Sequence, residues 1–401
     1  MKCDDYRLAS CRDQVFDNLF KYWNQTKAEV DFWLQANTLT TVAQYWSNTS
    51  DSTRRKNAMS IMVDGYNFYL KNKDNMNWWV DDFGWWGGFF FDLQGYTGGL
   101  QLPPPFDQAN LVKEAKYCFT RMQANKDKTY CGIWNAPSLD DRYCRKNSIT
   151  NSWYFSLATS LSNYFPASPE YKTEALNQYT WLTTGKFGSY APPPGTWSLY
   201  SPAGVLRETP RGPHTRGPNS GPPDDWFWSG DNGVYLRALL TFIIQTTDPN
   251  AKKQLLLEGQ RLIKAATVRD KAIFVDGQNV MHESPSYGNY DPTFAISYVT
   301  GKGVFMRHVT RFAMRHDFAD AAFKDFVNTT AQSVWCSRDK NQNVISRNWN
   351  PPLGPPEEND PLSSGFRALV LQTGGLDALN AAVRITEPAE HELLVAAGTT
   401  T

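Results

Sequence analysis

The chain has 401 residues, 40 basic against 40 acidic, and a formal net charge of zero. With no basic stripe interleaved with aromatics, neither nucleic acid nor an acidic membrane surface is an expected partner. No run of about 18 apolar residues occurs, so no membrane span is expected, and the opening Met1-Lys2-Cys3-Asp4-Asp5 does not read as a signal peptide.

Taken in chain order, helical periodicity first appears at residues 11–23, where Val15, Leu19, Phe20 and Trp23 form a stripe. Comparable stretches follow at 53–71, 83–96, 109–125, 148–163 and 169–184. They resume at 232–245, 251–268, 302–316, 318–337 and 362–379, each followed by a loop rich in Gly, Pro, Asn or Asp. Strand alternation is scarce. About a dozen successive helices predict an all-α array of helical hairpins, with inner helices buried and the loops at one end building a site. The longest irregular stretch, about 188–225, contains Ala191-Pro192-Pro193-Pro194-Gly195 and reads as a lid over a cleft or a flexible insertion, the lid being favoured. The helical pattern is of one kind on both sides of it, so one domain over 1–401 is expected, with a disordered tail at about 388–401.

Six cysteines (Cys3, Cys11, Cys118, Cys131, Cys144 and Cys336) permit up to three disulfides, and Cys3 with Cys11 or Cys131 with Cys144 lie close enough for local loops. Neither CxxC nor a Cys/His metal spacing occurs, so neither metal nor cofactor is expected. Sequons at Asn24, Asn48 and Asn328 fit an extracellular or cell-wall location.

The chemistry concentrates in Trp78-Trp79-Val80-Asp81-Asp82-Phe83-Gly84-Trp85-Trp86-Gly87-Gly88. Two adjacent acids among four tryptophans are set up for pKa tuning, because apolar rings disfavour ionisation. Paired carboxylates with aromatic platforms suit glycoside chemistry: one acid protonates a leaving oxygen, one meets the anomeric carbon, and rings carry the sugar's C–H face. The bland alternative is a core tryptophan cluster with Asp-Asp at a helix start. On a regular helix neighbouring side chains diverge by about 100°, so the pair should lie where the chain turns, with Gly84, Gly87 and Gly88 giving latitude there.

Several segments, in order, resemble glycoside hydrolase family 76, the endo-α-1,6-mannanases and their fungal wall-remodelling relatives. The acidic pair in Trp79-Val80-Asp81-Asp82-Phe83-Gly84-Trp85-Trp86 is similar to that family's Asp-Asp motif. Cys131-Gly132-Ile133-Trp134-Asn135 and Arg145-Lys146-Asn147-Ser148-Ile149-Thr150-Asn151-Ser152 resemble its Gly-Ile-Trp and Lys-Asn-Ala-Ile-(Ser/Thr)-Asn segments. Gly301-Lys302-Gly303-Val304-Phe305-Met306-Arg307 resembles its Phe-Lys-Gly-Ile-Phe-x-Arg. Trp228-Ser229-Gly230-Asp231-Asn232-Gly233-Val234 occupies the place of a Thr-Tyr-Asn-Gln-Gly-Val motif. Here Gly230-Asp231-Asn232 replaces Tyr-Asn-Gln, which removes an aromatic hydroxyl and adds a charge.

The resemblance implies an (α/α)6 barrel and a retaining mechanism with Asp81 as nucleophile and Asp82 as general acid/base, acting on α-1,6-mannan or a related α-glycan. Substrate-contact candidates are Trp79, Trp85, Trp86 and Trp134 as platforms and Asn147, Asn151, Asp231, Asn232 and Lys302 as polar groups. Each has an ordinary reading as well: a helix cap for Asn147, Asn151 and Asp231-Asn232, core burial for Trp134, a solvated charge for Lys302. Glu283 and Asp291 read as solvated loop acids, and His308 and His316 as surface histidines. The expected partner is a polysaccharide or oligosaccharide, bound by a monomer. Transglycosylation on the same fold and a non-catalytic carbohydrate-binding protein are the competing readings.

Overall fold

The computed structural model describes residues 6–75, 77–97, 102, 104–219, 226–268, 273–283, 299–339, 343–350 and 365–386. Among them are twelve α-helices. They are α1 (Leu8–Thr26), α2 (Phe32–Asn48), α3 (Ser52–Asn72), α4 (Val80–Tyr96), α5 (Gln108–Gln123) and α6 (Ser148–Tyr164). Next come α7 (Pro169–Thr184), α8 (Ser229–Gln245), α9 (Pro249–Thr267), α10 (Gly301–Arg315), α11 (Ala321–Cys336) and α12 (Gly365–Thr386). Helices α2, α4, α6, α8, α10 and α12 touch in that order, and α12 closes back on α2, making an inner ring. The other six lie outside it: α1 and α11 on α12, α3 on α2, α5 on α4, α7 on α6 and α9 on α8. The fold is all-α, a barrel of inner and outer helices.

The two rings differ in sequence for a physical reason. An outer helix buries one stripe; α9 buries only Leu255, Gly259, Leu262, Ile263 and Ala266. An inner helix is enclosed on nearly all sides. In α2 the buried set runs unbroken from Leu34 to Trp46 and includes Gln35, Asn37, Thr38, Thr40, Thr41 and Gln44. The hydroxyls of Thr38, Thr40 and Thr41 donate to the carbonyls four residues back, so these polar groups enter the core satisfied. Helix α2 is the helix absent from the sequence-based expectation.

Glycines bring α4 and α6 together. Gly84 and Gly88, one turn apart on α4, face Trp153 of α6 so closely that a Cβ at either would overlap its ring, and Gly87 abuts Leu157. These glycines therefore lie inside a helix, where they cost about 1 kcal/mol each relative to alanine. They permit close packing inside the helix and do not supply the latitude at a chain turn that the sequence suggested.

The long irregular stretch holds the one sheet among the described residues, an antiparallel pair of β1 (Ser198–Tyr200) and β2 (Leu206–Arg211). Asn232 of α8 accepts a hydrogen bond from the Leu206 N–H at 3.0 Å, and Ser148 of α6 donates to the Arg207 carbonyl at 2.5 Å. Strand β2 is thus pinned across the starts of α6 and α8. Asp291 and the stretch 388–401 lie outside the described residues. None of Cys11, Cys118, Cys131 and Cys144 is in a disulfide, so neither suggested local loop forms, whereas Cys336 is disulfide-bonded. No helix among the described residues is long and apolar enough to cross a membrane.

Candidate active site

Side-chain caps are commoner at the outer helix starts, although outer α1 and α7 also begin without one. Outer helices α3, α5, α9 and α11 are capped by Asp51, Asp107, Asp248 and Asp320, each accepting from backbone N–H groups. Inner helices α2, α4, α8 and α10 begin without any side-chain cap. Asn147 caps α6, accepting from the Thr150 N–H at 3.2 Å. The inner starts converge: Asp81 on α4 faces Thr150 on α6 and Asp231 on α8, Asp82 faces Asp31 before α2, and Gly301 at the start of α10 lies against Trp228 and Glu283. One end of the barrel therefore gathers uncapped helix N-termini and acids.

Asp81 and Asp82 occupy the first turn of α4, with Trp79 at its N-cap. The Val80 N–H donates to the Asn135 carbonyl at 2.8 Å and the Asp82 N–H to the Trp79 carbonyl at 3.2 Å, which fixes where the helix begins. The two side chains diverge, as the helix requires. Asp81 is half-buried and turned toward α6 and α8. Burial pushes its pKa up to about 6, against the opposing pull of its own N–H and Thr150. Asp82 is 4% exposed, and burial together with the charges of Asp81 and Asp31 drives its carboxyl well above the usual range. Environment thus raises both carboxyls, Asp82 more than Asp81, so two identical side chains differ in how readily they ionise.

A second acidic group stands across from the first. Asp231 is fully buried in the first turn of α8, and burial with Glu208, Glu283 and Asp81 as neighbours raises its pKa well above the usual range. Glu283 accepts from the Ser229 N–H at 3.2 Å and from the Ser229 hydroxyl. Burial lifts it to about 7, while the Ser229 bond and Lys302 pull the other way. Lys302 is 4% exposed, donates to the Arg347 carbonyl at 2.5 Å and sits 4.4 Å from the Trp349 ring centroid. Its burial lowers it to about 8. It faces Glu283, not water, and Glu283 is no solvated loop acid.

The other candidates divide. Trp79 and Trp134 are half-buried, with Lys146 4.5 Å from the Trp134 centroid, so both rings border the site. Trp85 lies beneath it, 2% exposed, its centroid 5.0 Å from Trp153 and 5.1 Å from Trp33. Trp86 is fully buried, its indole N–H donating to the Phe32 carbonyl at 2.9 Å, and offers no open face. Asn151 spends both ends of its amide on the Ile133 backbone, at 2.7 and 3.1 Å, and accepts from Gln178. Asn232 joins Leu206 to the Trp228 carbonyl. These two asparagines tie neighbouring segments to the starts of α6 and α8. His308 is 1% exposed, and burial beside Arg307 lowers its pKa well below the usual value. It is a core histidine, contrary to the surface position expected.

Sequence reasoning passed over Asp31, Thr150 and Glu208. Thr150 stood inside a recognised motif; Asp31 and Glu208 carry no local signal, because each reaches the site from a different element. Among the described residues no group of three or more His, Cys, Asp or Glu is placed to hold a metal ion.

Solved structures share this architecture. The α-1,6-mannanase GH76A of Salegentibacter sp. HEL1_6 superposes with a TM-score of 0.66 at 15% identity, covering 94% of this chain and all of that one. Dfg5 from Chaetomium thermophilum, solved in complex with glucosamine, gives a TM-score of 0.69 at 18% identity, covering 97% and 93%. A Schizosaccharomyces pombe protein named as a proposed mannan endo-1,6-α-mannosidase is 24% identical over 264 residues, which are 64% of this chain and 55% of that protein. The sequence pattern of glycosyl hydrolase family 76 matches residues 7–373. The chain belongs to glycosyl hydrolase family 76.

Proposed function

We propose that the protein is a retaining, endo-acting glycoside hydrolase of an α-linked polysaccharide, with α-1,6-mannan as first substrate, working as a monomer outside the cell. The observation that carries this reading is the split environment of Asp81 and Asp82 at the convergence of uncapped inner-helix starts. Asp81, the more readily ionised, attacks the anomeric carbon and forms the glycosyl-enzyme. Asp82, holding its proton, gives it to the leaving oxygen and then takes one back from the attacking water. Trp79 and Trp134 supply ring faces to the sugar, and strand β2 with its flanking loop covers the cleft as a lid.

One relative, in two forms, supports the substrate. The Salegentibacter enzyme is an α-1,6-mannanase, and a variant with two consecutive aspartates changed to asparagine is described as inactive and was solved with α-1,6-mannotriose. The disulfide at Cys336 fits an oxidising compartment.

The test is product analysis by mass and anomeric NMR after mixing wild type, Asp81→Asn and Asp82→Asn with α-1,6-mannan, α-glucans and arabinans. Retained-configuration products from wild type alone support the reading. Mutants that cleave as wild type does overturn the pair. Products longer than the substrate assign transfer to a sugar hydroxyl over hydrolysis, and binding without turnover by any form assigns a carbohydrate-binding protein.

A further inference from the structure

Helix α4 carries the acidic pair but begins without a side-chain cap. Its first N–H, that of Val80, is met by a carbonyl from outside the helix, Asn135 at 2.8 Å. Asn135 is in turn clamped to Arg145. Its N–H donates to the Arg145 carbonyl at 2.9 Å, and its side-chain oxygen accepts from the Arg145 N–H at 2.7 Å. The start of α4, and with it the placement of Asp81 and Asp82, is therefore set by the loop that ends in Trp134 and Asn135.

That loop is a closed turn. Lys126 and Ile133 bridge across it, and the Trp134 N–H reaches the Asn125 carbonyl at 3.1 Å. Cys131 and Gly132 take left-handed backbone, with φ of 62° and 76°. That conformation is unfavourable for a residue such as Cys131, so the surrounding structure has to hold it. Asp127 ties the turn. One carboxyl oxygen accepts from the Thr129 and Tyr130 N–H groups at 2.8 and 3.1 Å. Its own N–H donates to the Gly132 carbonyl at 2.9 Å, and its carbonyl accepts from the Cys131 N–H at 3.0 Å. The other carboxyl oxygen is taken by the ammonium of Lys146 at 2.7 Å.

Lys146 follows Arg145 directly, and its side chain is 0% exposed. Its N–H donates to the Thr215 carbonyl at 2.9 Å, and its ammonium lies 4.5 Å from the Trp134 ring centroid and 5.9 Å from that of Trp181. Burial lowers its pKa, and the bond to Asp127 pulls the other way. One buried cation thus joins three segments beside the site: the 125–135 turn, the stretch leading into α6 and the residues that follow β2.

We propose that Lys146 is a positioning residue for the reaction: by pinning Asp127 it fixes the turn whose Asn135 carbonyl sets the start of α4, and so the placement of Asp81 and Asp82. This rests on the reading of those two acids as the catalytic pair. Lys146 acts on them through Asn135 and Val80, without touching either.

The experiment compares Lys146→Met with the double variant Lys146→Met/Asp127→Asn in kcat and KM on α-1,6-mannotetraose, each checked by circular dichroism and urea unfolding. Lys146→Met leaves Asp127 without its counter-charge and should lower both the urea midpoint and kcat. In the double variant both charges are gone and the asparagine oxygen still accepts from Thr129 and Tyr130, so the midpoint should recover. With the turn no longer pinned, kcat should stay about tenfold or more below wild type. Recovery of kcat along with the midpoint would make Lys146 a residue of stability alone and overturns the proposal. A substrate-free readout separates it from the mannan reading: the 13C carboxyl resonance of labelled aspartate that disappears in Asp81→Asn. Burial raises the pKa of Asp81, so a displaced helix start should bring the midpoint of that signal down by about half a pH unit or more in the double variant. Such a shift supports the proposal even if mannotetraose is not cleaved by wild type, in which case the mannan reading falls. An unmoved midpoint overturns the proposal whatever the kinetics.

Discussion

Helix α4 carries buried acids of opposite kinds at its two ends. Asp81 and Asp82, in its first turn, have no cation beside them among their described partners and are raised in pKa by burial. Asp92 lies eleven residues on, about 16 Å along the axis. It is met by Arg237 at 3.2 Å and Arg311 at 2.7 Å, and Arg237 also reaches Ser156 and the Gly88 carbonyl. Burial works against the charge of Asp92 too, but the two guanidinium groups overcome it and hold the carboxyl well below its usual range. Arg307 and Asp377, 3.1 Å apart and both buried, make a similar pair, but there burial outweighs the single guanidinium and lifts the carboxyl to about 6. Around Asp92 the barrel interior sets two cations against the acid it buries. The end where the helices start leaves its acids exposed to one another, which costs stability and prepares proton transfer.

The largest effect should come from the unmatched end. Asp81→Asn and Asp82→Asn should each lower kcat on α-1,6-mannan at least about 10³-fold without loss of helicity. In wild type, kcat/KM should fall about tenfold per pH unit below about 6, as the pair takes up the proton that Asp81 must lack, and decline again at higher pH as Asp82 ionises. A flat profile between pH 4 and 6 would separate these acids from the chemistry.

The same change at the matched end should act on stability instead. Asp92→Asn leaves the buried Arg237 without its counter-charge and should destabilise by about 3–5 kcal/mol in urea unfolding at pH 7. Because the pKa of Asp92 is depressed in the fold, its contribution is present above the ordinary carboxylate range and lost as pH falls through the folded value. The deficit of the variant should therefore shrink in acid.

Asp81→Asn should have the opposite sign. The folded pKa of Asp81 is raised from 3.8 to about 6, so its ionisation opposes folding above about pH 6 and not below about pH 4. Removing that charge should stabilise by up to about 3 kcal/mol at pH 7 and by nothing near pH 4. A destabilised Asp81→Asn at neutral pH would break the contrast between the two ends.

The smallest effect tests the packing between them. Gly88→Ala drives a methyl into Trp153, the ring that also lies 5.2 Å from the Arg237 guanidinium. A loss of about 1–3 kcal/mol is expected, and a neutral or stabilising result would mean that the α4 to α6 approach tolerates a wider spacing.

The outer helices were legible because each buries a single stripe, and α9 or α5 could be outlined from periodicity alone. Helix α2 was not, although α6 and α8, enclosed as fully, were, so enclosure alone does not hide a helix. Asp81 and Asp82 stood out through the tryptophans around them, yet those rings do different jobs: Trp79 borders the site, Trp85 underlies it, and Trp86 belongs to the core. The glycines beside the pair were visible, but whether they bent the chain or admitted a neighbour depended on Trp153, sixty-five residues beyond Gly88.

By itself, then, the amino-acid order determined the helical class, the family motifs and the acidic pair, all of which depend on residues close together in the chain. Tertiary structure alone decided that Asp31, Thr150, Glu208, Asp231 and Glu283 share the end of the barrel where Asp81 and Asp82 lie. It also decided that Asn151 and Asn232 are spent on backbone groups while Asp231 is not. The reason is electrostatic and steric: pKa, burial and hydrogen-bond satisfaction are set by what surrounds a group in space, and each of these neighbours arrives from a different helix or loop.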